Sequence, residues 1–321
     1  MRDRVVLVAA FAAVYLVWGS TYLAIAWAVE GVPPMLMIGA RCVIAGGILY
    51  GWARWRGLAR PVASDWLAAL VVGTLLFVTG QAVLAWAETR IASGPAAVLL
   101  ATEPMFVAVF AWRGGRLVGI PRGERPDRLV AVAMVAGLSG VALMAGPGGM
   151  GAVDPWGAGA ALVASASWSA GMLRARARPG LSPAGTAGMQ LLAGGVVALL
   201  VSLATGGLGG TDPLVVTTRS ALAFGYLVVF GSVITFGAYI WLLGRVGATR
   251  LSTHAYVNPV VAVALGVALA GEPLSPELLA ASALILVSVV LMVRNRAPAG
   301  QSLPRRGVIL HSSPRSSSVT T

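Results

Sequence analysis

Gln81-Ala82-Val83-Leu84-Ala85-Trp86 leads through Arg90 to Glu103-Pro104, and Phe236-Gly237-Ala238-Tyr239-Ile240-Trp241 leads through Arg245 to Asn258-Pro259. Trp86 and Trp241, Arg90 and Arg245, and Pro104 and Pro259 are each 155 positions apart. Each copy sets a proline in the middle of a long apolar run. Two copies of such a unit point to a membrane protein built from structural repeats.

The rest of the chain fits that reading. It has 321 residues, 58% hydrophobic and 11% charged, with mean hydropathy +0.85. That is too little polar surface for a body in water, since soluble chains are about 25% charged. A bilayer span needs about 20 apolar residues. Ten such runs occur, at 5–28, 33–53, 66–87, 92–112, 128–145, 156–173, 184–204, 220–243, 250–270 and 277–293. They are continuous and not alternating, so helices are expected and barrel strands are not.

A second set of matches sits at a slightly different offset. Trp18-Gly19-Ser20 lies 150 positions before Trp168-Ser169-Ala170, and Pro33 lies 150 before Pro183. Each half then holds five spans. Five is odd, so the second copy enters from the opposite face. The expected fold is an all-α membrane protein, ten transmembrane helices in two inverted five-helix repeats. The first repeat is placed at 5–145 and the second at 152–293, with the Gly/Pro stretch Gly146-Pro147-Gly148-Gly149-Met150-Gly151 between them. From 294 to 321 the chain is basic, Ser/Pro-rich and without acids, and a disordered tail is expected.

The net charge is +12, and all 23 basic residues are arginine. With the N-terminus in the cytoplasm, 20 of them fall in cytoplasmic segments, Arg90 and Arg219 fall outside, and Arg41 lies in a span. The charge therefore reports orientation through the positive-inside rule, and no nucleic-acid partner is needed to explain it. Both termini are expected in the cytoplasm of a bacterium, the chain crossing its inner membrane. The first apolar run continues past Trp18-Gly19-Ser20 to Trp27, which favours an uncleaved first helix over a signal peptide. Without lysine there is no P-loop ATPase and no Schiff base. One cysteine and two histidines exclude an intrachain disulfide, a Cys-x-x-Cys site and a His-Glu-x-x-His site. No metal, no cofactor and no enzymatic activity is expected.

Several helix starts carry their own chemistry. Asp154-Pro155, Ser182-Pro183 and Ser275-Pro276 each place a capping side chain before a first-turn proline. Pro33-Pro34 opens the second span, and Asp65 is expected to cap the third. Gly47-x-x-x-Gly51 suggests a close helix approach.

The chain resembles the EamA-type branch of the drug/metabolite transporter superfamily. The resemblance rests on Tyr15-Leu16-Val17-Trp18-Gly19-Ser20-Thr21-Tyr22, on Pro33-Pro34 followed by Arg41 and Ala45-Gly46, and on Ser93-Gly94-x-Ala96-Ala97 through Glu103-Pro104. It continues in Trp168-Ser169-Ala170-Gly171 and in Ala255-Tyr256-Val257-Asn258-Pro259-Val260 through Gly271-Glu272. It runs from about Val5 to Val293 and implies a ten-helix inverted-repeat carrier of small organic solutes, usually an exporter. The solute itself and the oligomeric state are not specified by it.

Ionisable side chains in spans are costly and mark function by default. Arg41 reads as a counter-charge for an anionic substrate group or for Glu103, or else as a structural ion pair. Glu103 stands at mid-depth beside Pro104, which frees a backbone carbonyl. It is a candidate for proton-for-substrate exchange, or a carboxyl that bonds a neighbouring helix. His254 and Asn258 are one turn apart in the ninth span, forming with Tyr256 and Pro259 the counterpart of the Glu103 region. His254 is a proton-path candidate, but a histidine facing cytoplasmic water at a helix end is the expectation. Trp18, Tyr22, Gln81, Trp86, Trp168, Gln190, Tyr239 and Trp241 are candidates to line a cavity, where rings would favour amphipathic or aromatic solutes through stacking and cation–π contact. Trp52, Trp55, Trp66 and Trp156 read as interface anchors. Glu88, near the outer end of the third span, is a candidate to guide cations, but a solvated helix end is the expectation. A membrane-embedded enzyme would need a nucleophile–base pair, and a channel a continuous polar ring; neither pattern occurs.

Overall fold

A computed structural model describes residues 2–114, 128–145, 154–175, 181–206, 216–251 and 254–295. Among these residues every regular element is helical. The first apolar run is α1 (Arg2–Ala12), a π-helical segment (Ala13–Val17) and α2 (Trp18–Ala28) in continuous succession. The second is α3 (Pro34–Trp55), and the third is α4 (Ala63–Gly73), a second π segment (Thr74–Ala82) and α5 (Val83–Ala87). Then come α6 (Ser93–Leu100), α7 (Glu103–Arg113), α8 (Arg128–Ala145), α9 (Pro155–Arg174) and α10 (Pro183–Ala204). The eighth run is α11 (Thr218–Tyr226), a third π segment (Leu227–Ile234) and α12 (Thr235–Leu251), followed by α13 (His254–Ala270) and α14 (Pro276–Asn295).

Among the described residues six stretches are long and apolar enough to cross a membrane: Arg4–Ala28, Pro34–Trp55, Ala63–Ala87, Ser93–Arg113, Pro183–Ala204 and Thr218–Val246. Arg128–Leu143, Val257–Ala270 and Pro276–Leu291 are apolar but shorter. α9 has 20 residues, about 30 Å at 1.5 Å per residue. Its glycines and serines lower its hydropathy. They also let it sit deep in the bundle, with Gly157, Ala161, Ser165, Ser169 and Gly171 buried.

The caps follow the sequence chemistry. Asp154 accepts from the Trp156 amide at 2.9 Å, Ser182 from Gly185 at 3.1 Å and Ser275 from Leu278 at 3.1 Å. Asp65 departs from expectation. It is the third residue of α4, not its cap, and its Oδ2 accepts from the Val62 amide at 3.0 Å. Gly57 and Gly206 end α3 and α10 with φ of +89° and +74°, the left-handed turn that closes many helices.

The most extensive helix contact joins α3 to α10, and the next joins α8 to α14. The α3–α10 seam corrects the expectation about Gly47 and Gly51: both are exposed, with nothing within 4 Å of a Cβ built on them. The close approach is made one residue earlier in phase. Gly39 and Gly46 on α3 meet Gly188 and Gly195 on α10, where backbone faces backbone. A seven-residue spacing on both helices keeps the four glycines on the facing sides.

The break between α6 and α7 is explained atom by atom. Pro104 has no amide hydrogen for the Leu100 carbonyl four residues back. Ser165 of α9 donates to that carbonyl at 3.3 Å, and Ser169 donates to the Glu103 carbonyl at 3.1 Å. The Ser165 hydroxyl thus satisfies the carbonyl that the proline frees, which makes a broken helix tolerable away from water, and Ser169 ties α9 to the start of α7. Pro259, by contrast, lies inside continuous α13. The inter-repeat stretch 146–151, the loop 207–210 and the tail from 296 lie outside the described residues.

Candidate functional site

Spacing brings one face of each central helix to a common point. α2 offers Trp18, Thr21, Tyr22 and Ile25, at steps of three and four residues. The second π segment adds Gly80 and Gln81, and α5 adds Leu84. From the broken helix come Leu100 and Glu103, from α9 Ala164 and Trp168, and from α13 His254 and Asn258. The cavity they enclose is about 50 Å³. That suits a few waters and is far below the roughly 300–1,000 Å³ of ordinary ligand sites. Two larger grooves, 540 Å³ beside α2 and α11 and 460 Å³ beside α13 and α14, are almost wholly apolar and carry no acid.

Rings dominate the site. Trp18 is the hub: its centroid is 5.8 Å from Trp168 edge-on, 4.9 Å from Tyr239 and 5.5 Å from His254. Phe77 and Phe236, which sequence reasoning did not single out, extend the cluster, 5.3 Å from one another. Trp18 Nε1 donates to the Gly231 carbonyl at 3.1 Å, fixing the ring. That carbonyl belongs to the third π segment. The same pattern holds at the other two. Ser167 Oγ donates to Leu75 O at 2.9 Å, and the Asn258 amide, in its satisfied orientation, donates to Tyr15 O at 3.0 Å. In each π segment one carbonyl accepts from a side chain of another helix, which ties the widened turn to its neighbour.

Charged groups are few. Glu103 is 5% exposed and faces the cavity. Arg41 is 2% exposed and does not line it. Its Nε donates to Ser232 Oγ at 2.7 Å, and no ion pair with Glu103 occurs among the described residues. The expectation of an Arg41–Glu103 pair is therefore replaced by an arginine anchored on the third π segment. His254 also corrects expectation. It is 4% exposed, packed against Trp18 and Tyr239, because α13 crosses α2 at this depth. Glu88 is 7% exposed and not at a solvated helix end. Contacts with residues distant in sequence decided both burials, and no local signal announced them.

The remaining candidates lie elsewhere. Tyr239 backs Trp18 and donates to Met172 Sδ at 2.8 Å. Gln190 lines a separate 220 Å³ cavity with Asp65, Arg174 and Thr186. Trp86 is 39% exposed under the Arg90 guanidinium at 4.6 Å, and Trp241 lies under Arg245 at 4.2 Å. The repeated Trp-x-x-x-Arg element is thus a cation–π pair one helical turn long, outside the cavity. The side chain of Tyr256 lies outside what is described. Polar ties hold the helix starts. Arg90 pairs with Asp154 at 2.7 Å and Arg219 with Glu30 at 2.5 Å. Glu272 accepts from the Ser93 and Gly94 amides at 2.9 and 3.0 Å and from Ser93 Oγ at 2.6 Å, capping α6 from far along the chain.

Comparison with known proteins agrees with this architecture. A solved structure, "Crystal structure of protein", superposes with TM-score 0.62 at 20% identity, covering 89% of this chain and 96% of the other, which is a likeness of fold. The inner membrane transporter YedA of Escherichia coli (strain K12) is 37% identical over 293 residues, 91% of this chain and 92% of that protein. The transporter YvbV of Bacillus subtilis (strain 168) is 23% identical over 301 residues, 91% and 92% of the two chains. The EamA-like transporter family matches residues 5–146 and again 155–294. With almost its whole length matched, the chain belongs to the EamA-like transporter family of the drug/metabolite transporter superfamily and is a multi-pass membrane transporter.

Proposed function

We propose that this transporter is a secondary carrier that exports a small organic solute across the bacterial inner membrane by alternating access. The solute class is an amino acid, a related metabolite or a drug. Two five-helix units, 5–145 and 152–293, cross in opposite senses, giving ten spans and cytoplasmic termini. The observation that carries the reading is the central cavity, because both units build it. Trp18, Tyr22, Gln81 and Glu103 come from the first, and Trp168, His254 and Asn258 from the second. The separate family matches to the two stretches support the repeat. So does the packing, since α3 with α10 and α8 with α14 join equivalent helices of the two units, as a two-fold axis requires. The arginine distribution supports the orientation.

A cavity of about 50 Å³ holds water and not a solute. Binding therefore requires the units to part, which is the motion that alternating access performs. The rings then stack on an apolar or cationic solute, and Glu103 pairs with an ammonium or exchanges a proton for it. Without a P-loop lysine the energy comes from an ion or solute gradient.

Counterflow in proteoliposomes tests the class: a carrier shows trans-acceleration, a channel does not, and an enzyme returns altered product. Growth inhibition by amino acids, their analogues and cationic drugs, compared in cells with and without the protein, tests export. An identical profile overturns it, and greater sensitivity with the protein marks an importer. Full pH-driven transport by Glu103→Gln overturns the proton role.

A further inference from the structure

Glu88 has no part in the mechanism above, yet it is the second buried acid among the described residues. Both of its carboxyl oxygens are buried without a hydrogen-bond partner. Acids in the helix connections are engaged, Glu30 by Arg219, Asp154 by Arg90 and Glu272 by the start of α6. Glu88 differs from them in having no donor.

Its position gives that isolation a meaning. The Glu88 amide donates to the Leu84 carbonyl at 2.9 Å, so the residue stands one helical turn past a cavity-lining side chain. Tyr22, which also lines the cavity, is in electrostatic reach of both Glu88 and Glu103. Glu88 is thus joined to the cavity wall through Leu84, and Tyr22 on that wall lies near both acids. In the proposed orientation Glu88 is on the outer side.

We propose that Glu88 is a proton-binding carboxyl of the translocation route, a second acidic station between the central cavity and the outer face. It rests on the carrier reading. A carboxylate without donors in apolar surroundings is costly, and binding a proton from outer water removes the charge. The groups that face it are Tyr22 from α2, Arg41 from α3 and Glu272 from beyond α13; Arg90, on its own stretch, is held by Asp154. Glu88 follows Ala87, the last residue of the apolar span. Burial first, and then Glu272, raise its proton affinity well above the usual carboxylate range, while Arg41 opposes them and loses. For an exporter driven by inward proton flow, Glu88 is where the incoming proton lands before Glu103.

Two measurements test this without knowledge of the solute. The wild-type protein in nanodiscs is treated with dicyclohexylcarbodiimide, to which protonated carboxyls in apolar settings add across a C=N bond to give an O-acylisourea that rearranges to a stable N-acylurea, and each acid is read by peptide mass mapping. Glu88 is expected to be modified about tenfold more than Glu272 in mildly acidic buffer, with labelling that falls as the buffer is made alkaline. Absence of label at Glu88 overturns the proton site, while label at Glu103 separately reports on the carrier reading. In the second measurement, intact cells carrying Glu88→Cys meet the impermeant trimethylammonium-ethyl methanethiosulfonate. Cys42, the lone native thiol, is buried, so the wild type is the blank. Reaction at position 88 is expected from a route that opens outward. A Glu88→Cys protein that reaches the membrane and stays unreactive overturns the route.

Discussion

Gly46 and Gly47 are neighbours on α3 with opposite surroundings. A Cβ on Gly46 would stand 2.6 Å from the Leu192 nitrogen and 2.9 Å from both the Gly188 oxygen and Leu191 Cβ, whereas a Cβ on Gly47 meets nothing within 4 Å. Comfortable carbon contacts begin at about 3.5 Å, so Gly46→Ala must push α3 and α10 apart by about 1 Å. Overpacking of that kind costs about 1–3 kcal/mol. Both substitutions also gain the helix preference of alanine, about 0.5–1 kcal/mol. That gain cancels between them, so their difference of about 1–3 kcal/mol isolates the helix contact. Thermal unfolding in detergent, followed by circular dichroism, reads it. At roughly 2–4 °C per kcal/mol, Gly46→Ala is expected to melt several degrees below Gly47→Ala. Equal melting of the two variants would refute the backbone-on-backbone seam.

Removing the hydroxyl that serves the proline break, in Ser165→Ala, leaves the Leu100 carbonyl buried and unpaired and is expected to cost about 1–3 kcal/mol in the same melt. Glu272→Ala strips two amides and a hydroxyl of their acceptor at the start of α6, with an expected loss of about 2 kcal/mol; limited proteolysis near residue 93 reports it independently. The Asp154 carboxyl is held below its ordinary value of 3.8, chiefly by its hydrogen bond to Arg90. Its contribution is therefore complete above that value and fades as the pH falls below it. Arg90→Gln is expected to lower stability slightly at neutral pH, leave it nearly unchanged at low pH and so flatten this acid limb of a stability–pH curve; an unaltered limb would show that the pair contributes nothing.

The helical runs were legible because an apolar stretch of span length admits few other structures in lipid, and observed and expected ends agree closely at Pro183–Ala204 and Arg128–Ala145. Pro104 was legible as a break, since a missing amide hydrogen is a local fact. Partners were not legible. Ser165 lies 65 residues from the carbonyl it serves, and His254 meets Trp18 across most of the chain. The phase of the glycine seam was misread because Gly46 and Gly47 are equivalent in composition and differ only in the direction each faces. The π segments left no trace, since a turn widened by one residue needs no special side chain. Gln190 and Trp86 do not line the central cavity; Gln190 lines a separate one and Trp86 lies under Arg90, a matter of helix rotation that residue type does not carry.

Those π segments carry a consequence for motion. A coil with one residue too many in a turn can expel it at one point and admit it at another. Such a transfer rotates the intervening stretch by about 100° while every crossing stays helical. Trp18 follows one such surplus directly, and Gln81 stands within another. The helix faces that carry Trp18 and Gln81 can therefore swivel toward or away from the central cavity by peristalsis along their own axes, with no hinge loop and no unwinding in lipid.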